Sequence, residues 1–355
     1  MKEIPIFFAS DNNYAPYLAV AVKSLLDNSS KDYFYKIYVL TSKIHDTFKE
    51  KIAKVLTENS SLEYVCVDKE MEKLKDKLFL RDYYSFETYY RFFIPDMFPQ
   101  YKKVIYLDCD IYVKEDISKM YNTNITNYMV GAVSDQAFRD LSKDFANYAR
   151  KVLDINVHKV FNAGVLLINS EMFRATNILG RFVKLLEKYK FRVTQDEDYL
   201  NVLCKDKVKY LHRGWNKMPF QDNYPESKVK IIHYNLHLKP WHYNNIRFED
   251  YFWNTAKQTD FYEEIKLQLQ YYSDEKKEKD ALAFEKLRQI AVEEINNKNN
   301  YRNIKKREQF GFYNIIKTIK LIFKIPVISF FTRTLRTKGY KLVYGYKNRK
   351  IRRAA

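Results

Sequence analysis

Short apolar segments alternate with amphipathic helical segments along most of the chain. The apolar segments predict strands at Ile4–Ala9, Lys36–Thr41, Leu62–Val67, Lys103–Asp108, Met129–Ser134, Val160–Ile168, Val208–His212 and Val229–His233. Helical periodicity separates several of them, as in Tyr14–Leu26, His45–Leu56 and Met172–Lys188. This alternation predicts an α/β domain with a largely parallel sheet that is covered by helices on both faces.

The few glycines and cysteines exclude several classes of protein. The 7 glycines of the 355-residue chain stand at 131, 164, 180, 214, 311, 339 and 345, so neither G-x-G-x-x-G nor a P-loop motif is present. Cys66, Cys109 and Cys204 have no C-x-x-C spacing, which argues against a disulfide scaffold and a cysteine-rich zinc site. No segment has the roughly 20 uncharged residues of a membrane-spanning helix, and the N-terminal apolar run is too short for a signal peptide. We therefore expect a cytoplasmic protein.

The positive charge of the chain is concentrated at its C-terminal end. The formal net charge is +18, from 62 Lys and Arg residues and 44 Asp and Glu residues. Residues 301–355 hold 16 of these basic residues and a single acidic residue, Glu308, so the rest of the chain is close to neutral. A partner that recognises the charge therefore meets this tail.

The same tail has an amphipathic pattern. At about 100° per residue, one helical face carries the apolar residues Phe312, Ile315, Ile316, Ile319, Ile322 and Phe323. Lys317, Lys320 and Lys324 form a stripe beside them, and Pro326 ends the pattern. Such a helix is typical of a membrane interface with anionic headgroups. The alternatives are a helix packed on its own domain and a nucleic-acid-binding tail; nucleic acid would leave the apolar stripe unexplained, so we expect no nucleic-acid partner.

The acidic sequence Asp108-Cys109-Asp110 directly follows the most apolar predicted strand. Two carboxylates at i and i+2 at a strand end can face one divalent cation, which a nucleoside diphosphate would also bind. Asp pairs are also common in simple turns, which is the alternative interpretation.

His233 stands at the end of another predicted strand and suits Mn²⁺ in combination with carboxylates. A zincin helix is excluded because the residues between His233 and His237 include no Glu.

Three further polar features stand in apolar surroundings. Gln195-Asp196-Glu197-Asp198 precedes a helical segment, where acids favour the helix dipole, but three carboxylates exceed what capping requires. Asn162 is the polar side chain near the start of the apolar strand at 160–168. Lys239 offers a point charge for a phosphate. Each feature alone is ambiguous.

Taken together and in this order, these motifs resemble glycosyltransferase family 8, a family of retaining nucleotide-sugar transferases. The resemblance covers roughly residues 4–245. It implies a GT-A fold with a Rossmann-like, mixed but mostly parallel sheet, followed by a helical, basic C-terminal extension. We expect a catalytic domain over 1–255, a helical spacer over 256–309 and a basic amphipathic membrane-surface segment over 310–355.

The resemblance also implies the ligands of individual residues. The segment that resembles a uridine-binding segment contributes Ala9, Asp11, Asn13 and Tyr14. The residues that match the metal site are Asp108, Asp110 and His233, and Cys109 would offer its backbone to the ribose. The residues that match positions at the donor sugar are Arg91, Asn162, Ala163 and Asp196. Asp135 falls where the family approaches the acceptor, and Lys239 matches the lysine that binds the diphosphate.

Two positions depart from the family pattern. Leu236 stands where the segment H-Y-x-G-x-x-K-P-W has glycine, and Glu197 stands where bacterial galactosyltransferases carry glutamine. A carboxylate at that position could stabilise an oxocarbenium ion or attack it. The predicted catalytic residues are therefore Asp196, Glu197 and Asn162.

The resemblance implies a bacterial, metal-dependent hexosyltransferase. It would move galactose or glucose from a UDP-sugar to a glycan or glycolipid acceptor, lipid-linked or part of lipopolysaccharide, with Mn²⁺ as the expected ion and Mg²⁺ as the alternative. The tail would attach it peripherally to the inner face of the cell membrane. The alternative, which Leu236 and Glu197 motivate, is a catalytically weak UDP-sugar-binding scaffold at the membrane.

Overall fold

The structure is a computed structural model that describes residues 1–72, 74, 76, 78 and 86–322, with the backbone alone for residues 312 and 314–322. The contacts divide the chain into two compact units, Met1–Asn300 and Tyr301–Ala355. The strands are β1 Lys2–Ala9, β2 Tyr33–Thr41, β3 Ser60–Cys66, β4 Lys103–Leu107, β5 Ile111–Val113, β6 Val130–Ser134, β7 Phe161–Asn169, β8 Val208–Tyr210 and β9 Ile231–His233.

The helices of the first unit lie between and after these strands. They are α1 Ala15–Asp27, α2 Asp46–Ala53, α3 Asp68–Glu72, α4 Ile94–Met97, α5 Ser118–Tyr121, α6 Gln136–Asp140, α7 Lys143–Tyr148, α8 Ser170–Ala175, α9 Ile178–Lys188, α10 Asp196–Leu203, α11 Glu249–Ala256, α12 Tyr262–Gln270 and α13 Asp274–Asn296. Short 3₁₀ turns include Phe86–Phe92 and Arg213–Asn216. The second unit contains α14, Tyr301–Ile322.

The main sheet is mixed but mostly parallel. Its strand order is β3-β2-β1-β4-β7-β6-β8. The pairs β3–β2, β2–β1 and β1–β4 are parallel. β7 is antiparallel to both β4 and β6, whereas β8 is parallel to β6. The predicted fold class is therefore confirmed, including the mixed character of the sheet.

Helices cover both faces of the central strands, which explains why these strands are apolar on both sides. Ile4, Ile6 and Phe8 of β1 belong to one core with the buried residues of α1. Phe7, which alternates with them, stacks on Tyr38 on the opposite face with ring centroids 4.9 Å apart. β7 is buried along its whole length. Near-continuous apolar strands of this kind are expected where a sheet lies between two layers of helices.

Two local predictions differ from the structure. The segment Met172–Lys188, which was expected as one helix, forms α8 and α9, because Asn177 between them is left-handed with φ 50° and its side chain caps the second helix. The strand expected at Val229–His233 is shortened to β9 and does not join the main sheet. It pairs instead with β5, a three-residue strand whose brevity left no period in the sequence.

The helices α11, α12 and α13 of the first unit pack on the sheet domain. Phe252, Phe261 and Ile265 of this region belong to the core that contains β1 and α1, and Leu287 and Ile290 of α13 are buried as well. The contact division at 300/301 therefore groups residues 256–300 with the body. The predicted boundaries at 255 and 309 stay predictions.

The C-terminal tail is described only in part. α14 gives the backbone of residues 310–322 the helical form that the amphipathic pattern predicts. Residues 323–355, with Pro326 and the second basic cluster of the tail, lie outside the described residues. Among the helices that the structure describes, none is both long and apolar enough to cross a membrane.

Candidate active site

Four strand ends meet at one edge of the main sheet. β1 and β4 are parallel neighbours, with Phe7 opposite Tyr106, and both end there. β7 runs the other way, with Val165 opposite Leu107, so it begins where β4 ends. β6 is antiparallel to β7 and therefore ends at the same edge. Ligands of α/β sheets bind at such an edge, where the strand order changes direction.

Asp108 and Asp110 follow β4 at this edge, and the small sheet brings His233 to them. Ile111 pairs with His233, and the N–H of Tyr234 donates to the carbonyl of Asp110 at 2.9 Å. Nε2 of His233 lies 3.1 Å from Oδ1 of Asp110 and 3.8 Å from Oδ2 of Asp108. One ligand atom from each side chain lies within 4.8 Å of the other two. The structure thus brings together the three predicted metal ligands.

The donor atoms of this group fit a divalent cation. Oδ1 of Asp110 and Nε2 of His233 are buried, and apart from the 3.1 Å contact between them neither has a hydrogen-bond partner among the described residues. Nδ1 of His233 lies 3.0 Å from Oδ1 of Asn216, which fixes the ring with Nε2 towards the aspartates. Carboxylate oxygens combined with an imidazole nitrogen suit Mn²⁺ and related ions. A cation bound here would satisfy both buried atoms.

Gly164 provides space beside the metal ligands. Its carbonyl accepts a hydrogen bond from the N–H of Asp108 at 2.8 Å. A Cβ at this position would lie 2.5 Å from Oδ2 of Asp108 and would also collide with Cε1 of His233. The close approach of β7 to the metal ligands therefore requires a residue without a side chain.

Lys239 contacts the second carboxylate oxygen of Asp110. Burial alone would raise the pKa of Asp110, but the charges of Lys239 and His233 outweigh it and hold this pKa well below its usual range. The loop that carries Lys239 is anchored by Trp241, whose ring stacks on Tyr17 with centroids 3.8 Å apart. A buried ammonium group next to a metal-binding carboxylate is well placed for a phosphate.

Arg91 connects the metal ligands to the acidic group at the start of α10. It lies on the turn Phe86–Phe92 and is 4% exposed. Its Nη2 lies 3.1 Å from Oδ1 of Asp108, and its Nε lies 3.3 Å from Oδ2 of Asp196. Its Nη1 donates to the carbonyl of Ala163. These contacts on three sides fix the guanidinium group.

Glu197 and Asp135 face each other across Asn162. Nδ2 of Asn162 donates to Oε2 of Glu197 at 3.0 Å and to Oδ2 of Asp135 at 3.1 Å. The N–H of Ala163 also donates to Oε2 of Glu197, at 2.9 Å. The other oxygen of Asp135 caps α6 by accepting from the N–H of Phe138 at 2.7 Å. The first residues of β7 therefore hold two carboxyl groups at the sheet edge.

The acids that flank Glu197 have different partners. Oδ1 of Asp196 accepts from the hydroxyl of Thr88 at 2.5 Å, on the side of Arg91. Oδ2 of Asp198 accepts from the hydroxyl of Tyr148 at 2.8 Å and from the N–H of Thr194 at 3.0 Å. Asp198 is therefore a structural residue, whereas Asp196 belongs to the site.

Burial raises the pKa of four carboxyl groups around Asn162 and the start of α10, those of Asp135, Asp196, Glu197 and Asp198. It raises the pKa of Asp196 to about 6, against the lowering effect of Arg91, and that of Asp198 to about 6. The pKa of Glu197 is raised well above its usual range by burial and by the charge of Asp135, and burial also raises the pKa of Asp135. Perturbed carboxyl groups of this kind in a cleft are typical of functional sites.

The predicted site residues line two adjoining clefts. The first, here called the Asp110 cleft, has a volume of about 720 Å³ and contains Ala9, Asp11, Tyr14, Arg91, Asp108, Cys109, Asp110 and Lys239. The second, the Glu197 cleft, has a volume of about 640 Å³ and contains Arg91, Asp108, Asp135, Asn162, Ala163, Asp196 and Glu197. Two predicted site residues line neither cleft. His233 is buried and contacts Asp110, whereas Asn13 is exposed and donates to Oδ2 of Asp11 at 2.9 Å.

The sequence model of glycosyl transferase family 8 matches residues 5–245 of the chain. This range contains the polar residues that line the two clefts and most of the sheet domain. The chain belongs to glycosyltransferase family 8.

Two relatives illustrate the range of the family. A Haemophilus influenzae protein whose name places it among the glycosyltransferases is 31% identical over 250 residues, which cover 67% of this chain and 72% of that protein. The lipopolysaccharide 1,3-galactosyltransferase of Salmonella typhimurium is 26% identical over 252 residues, or 67% of this chain and 72% of the relative.

Solved structures of the galactosyltransferase LgtC are also similar. An active-site mutant of LgtC with glutamate in place of glutamine has a TM-score of 0.62 and 26% identity. LgtC in complex with donor and acceptor sugar analogues has a TM-score of 0.59 and the same identity. In both comparisons the alignment covers 72% of this chain and 96% of LgtC. The chain is therefore a transferase of the family's general type with a GT-A-like sheet domain.

One residue of this family 8 site, Asn216, had no signal in the sequence. Asn216 orients His233 and also donates from its Nδ2 to Oδ1 of Asn162 at 2.8 Å. It is the last residue of the 3₁₀ turn Arg213–Asn216, and the parallel bridge from its neighbour Lys217 to Ile232 attaches the turn to β9. Single polar residues in loops are too common to be singled out, and their roles depend on pairings that only the structure shows.

Substitution of Gly164 tests whether the three ligands bind a cation. We expect Gly164→Ala to weaken Mn²⁺ binding at least about ten-fold in the presence of UDP, because the added Cβ displaces Asp108 and His233. Calorimetric titration of Mn²⁺ measures the effect. Gly311→Ala is the matched control, since a Cβ there has no atom within 4 Å. Wild-type affinity for Mn²⁺ in the Gly164 variant would contradict the assignment.

A second prediction concerns the cost of burying Asp198. Because burial raises its pKa, charging Asp198 destabilises the folded state as the pH rises from about 4 to about 6. An asparagine can keep both hydrogen bonds through its single oxygen. We therefore expect Asp198→Asn to raise the melting temperature above pH 6, with a gain that disappears towards pH 4. Thermal unfolding from pH 4 to 8 measures this, with the exposed Asp250→Asn as control; a gain independent of pH would refute the interpretation.

Proposed function

We propose that the protein is a retaining, metal-dependent hexosyltransferase that uses UDP-galactose or UDP-glucose. The observation that carries the proposal is the group Asp108, Asp110 and His233 with Lys239 beside it, in a cleft whose other end holds Asp11 and Tyr14. A metal site and a lysine suit a diphosphate, and the adjoining acidic cleft suits the hydroxyl groups of a sugar. The family membership and the galactosyltransferase relative support the same reaction type.

The proposal places UDP in the Asp110 cleft. The base and ribose lie near Ala9, Asp11 and Tyr14, and the diphosphate lies between the metal ligands and Lys239. Asp108, Asp110 and His233 would hold a divalent cation, which would supply Lewis-acid stabilisation of the departing diphosphate. Lys239, which contacts Asp110 beside the proposed diphosphate position, would add a positive charge where negative charge develops.

The donor sugar then lies in the Glu197 cleft, next to Arg91. Asp196 offers hydrogen-bond acceptors to its hydroxyl groups, and Arg91 fixes Asp196. The amide of Asn162 is fully bonded within the protein, so Asn162 acts by positioning Glu197 and Asp135. Glu197 lies opposite Asp135, with Oε2 held by Asn162 and Ala163 and with its carboxyl group in the wall of the cleft. In its ionised form, this carboxyl group would stabilise the positive charge that forms on the sugar as the bond to the phosphate breaks.

Retention of configuration follows if the acceptor hydroxyl attacks from the side of the leaving group. The acceptor oxygen forms a bond to the anomeric carbon, the bond from that carbon to the phosphate oxygen breaks, and the departing phosphate oxygen takes the proton of the hydroxyl. This sequence needs no separate protein base. It agrees with a site whose only histidine among the predicted residues, His233, is directed at the metal ligands.

The deciding experiment is UDP release from a panel of UDP-sugars, with Mn²⁺ and with EDTA. We expect release from UDP-galactose or UDP-glucose that EDTA abolishes, because the diphosphate departs from the metal site. Asp110→Ala should lose this metal-dependent release, since it removes a ligand with a buried donor atom. Asp250→Ala, an exposed position, is the control. Release that persists in EDTA or in the Asp110 variant would refute the metal assignment.

The same assay distinguishes the alternative of a binding scaffold. Tight UDP binding by calorimetry without cleavage of any UDP-sugar, with or without added glycan acceptors, would favour the scaffold. Glu197, which replaces the family's glutamine, and Leu236, which replaces its glycine, are the residues that motivate this alternative.

We further propose that residues 310–355 attach the enzyme to the cytoplasmic face of a bacterial membrane, where it glycosylates a lipid-linked acceptor or lipopolysaccharide. The support is the charge of the tail and the apolar stripe beside Lys317, Lys320 and Lys324. The proposal does not depend on the identity of the donor sugar.

Cosedimentation with lipid vesicles tests this attachment. The full chain should bind vesicles that contain phosphatidylglycerol and not pure phosphatidylcholine, because anionic headgroups attract the basic stripe. Changing Lys317, Lys320 and Lys324 to Glu should weaken binding about a hundred-fold or more.

The matched control makes the same change of charge elsewhere. Lys257, Lys276 and Lys279 are exposed lysines of the first unit, and their replacement by Glu should leave vesicle binding nearly unchanged. Equal losses in both triple variants would show a general effect of charge and contradict the proposed attachment. Stronger binding to RNA than to anionic vesicles would favour the nucleic-acid alternative.

A further inference from the structure

Helix α13 forms part of the Glu197 cleft although it lies outside residues 5–245, which match the family. Phe284 and Leu287 of this helix line the cleft together with Glu197 and Asp135. The wall of the cleft is thus completed by a segment that the family pattern does not include.

The cleft has two chemically different sides. Its polar side consists of the carboxyl and amide groups at the sheet edge, which are those of Asp135, Asn162, Asp196 and Glu197. Its apolar side consists of Ala137, Phe138, Leu141, Phe145, Phe284 and Leu287. The ring of Phe145 lies 5.8 Å from that of Phe138 and 6.0 Å from that of Phe284, measured between centroids. Three aromatic rings from α6, α7 and α13 therefore form one continuous wall.

Polar contacts at three points hold α13 in this position. Oδ2 of Asp280 accepts from the hydroxyl of Tyr243 and from that of Tyr272, both at 2.8 Å. Nε of Arg288 donates to Oδ2 of Asp144 of α7 at 3.0 Å. Near the end of the helix, the buried Glu294 accepts from Tyr189. The wall is therefore fixed, while Phe284 itself is only half-buried.

Phe284 also reaches the loop that carries Lys239. Its ring centroid lies 6.5 Å from that of His237, and Leu236, the preceding residue, lines both clefts. The apolar wall is thus adjacent to the place where the proposed diphosphate would leave. An acceptor held on this wall would approach the donor from the side of the leaving group, as retention requires.

We propose that the Phe284 wall is the acceptor subsite and that it takes a pyranose ring, with its C–H face on Phe284 and its hydroxyl groups directed at Asp135 and Glu197. The inference rests on the proposed function. A pyranose has one apolar face and a polar edge, which matches the two sides of the cleft. A lipid chain would bring no hydrogen-bond donor to the carboxyl groups opposite it, whereas the hydroxyl groups of a pyranose would. Phe284 is then a residue that determines acceptor specificity.

Acceptor kinetics with simple glycosides test this subsite. The probes are methyl α- and β-glycosides of glucose, galactose and N-acetylglucosamine, which have no apolar aglycone that could bind the wall on its own. We expect Phe284→Ala to raise the acceptor KM about ten-fold or more, with little change in kcat. Hydrolysis of the donor without acceptor should keep its wild-type rate, because the donor contacts are on the other side of the cleft.

Two variants separate recognition from structural support. Phe284→Trp keeps an aromatic face and should restore an acceptor KM close to that of the wild type. Leu282→Ala lies on the same helix but at a position that is 63% exposed, and it should change neither KM nor hydrolysis. Saturation-transfer NMR with the preferred methyl glycoside should show the strongest transfer to protons of one ring face in the wild type and lose it in Phe284→Ala.

The outcomes are distinct for the subsite and for the proposed function. Transfer to a methyl glycoside with an unchanged KM in Phe284→Ala would overturn the subsite alone. Donor hydrolysis without transfer to any pyranoside would overturn it too, since the wall would then serve another kind of acceptor. A wild-type protein that neither binds UDP nor cleaves any UDP-sugar would overturn the proposed function, and the subsite with it.

Discussion

The side-chain amide of Asn162 makes all four hydrogen bonds that an amide can make, and these bonds connect the two clefts. Its Nδ2 donates to Glu197 and Asp135, while its Oδ1 accepts from the N–H of Gly164 at 3.0 Å and from Nδ2 of Asn216. Asn216 in turn orients His233. One buried side chain thus positions both carboxyl groups of the acidic cleft and, through Asn216, the imidazole of the metal group. Because buried polar networks are stable only when they are fully satisfied, a change at Asn162 would affect both halves of the site together.

The sequence was sufficient for the strands that contribute a long apolar run and for the acids that follow them. Both faces of β1 and β4 are covered, so each strand is a nearly continuous apolar run that is easy to recognise. Asp108 and Asp110 follow the apolar run of β4 and therefore mark the end of that strand. The direction of β7 could not be read in the same way, because an apolar run has no polarity along the chain. Its antiparallel placement is nevertheless what brings Asn162 to the site. β5 was missed because a three-residue strand has no recognisable period. Asn216 was missed because it is a single polar residue in a short turn.

Leu236 stands in a backbone conformation that favours glycine. Its φ is 59°, in the left-handed region, where a side chain costs about 1 kcal/mol. The glycine of the segment H-Y-x-G-x-x-K-P-W would adopt this conformation without that cost. The leucine side chain lines both clefts and so lies where the proposed donor and acceptor subsites adjoin. At this position the chain therefore accepts backbone strain and places a bulky apolar group between the two subsites.

The edge of the sheet and the helix α13 contribute to the site in different ways. The edge concentrates buried carboxyl groups whose raised pKa values mean that their charges destabilise the fold near neutral pH. A fold can tolerate such groups where other groups offset the unfavourable burial of their charge. A bound cation, a neighbouring lysine and the hydroxyl groups of a sugar can do this, and perturbed carboxyl groups are therefore typical of functional sites. α13 contributes the apolar residues Phe284 and Leu287 to the cleft, and it is held by polar contacts of Asp280, Arg288 and Glu294 that do not involve the carboxyl groups at the sheet edge. A helix attached in this way can change its half-buried Phe284 without disturbing the buried network, so the choice of acceptor can vary while the chemistry at the sheet edge stays the same.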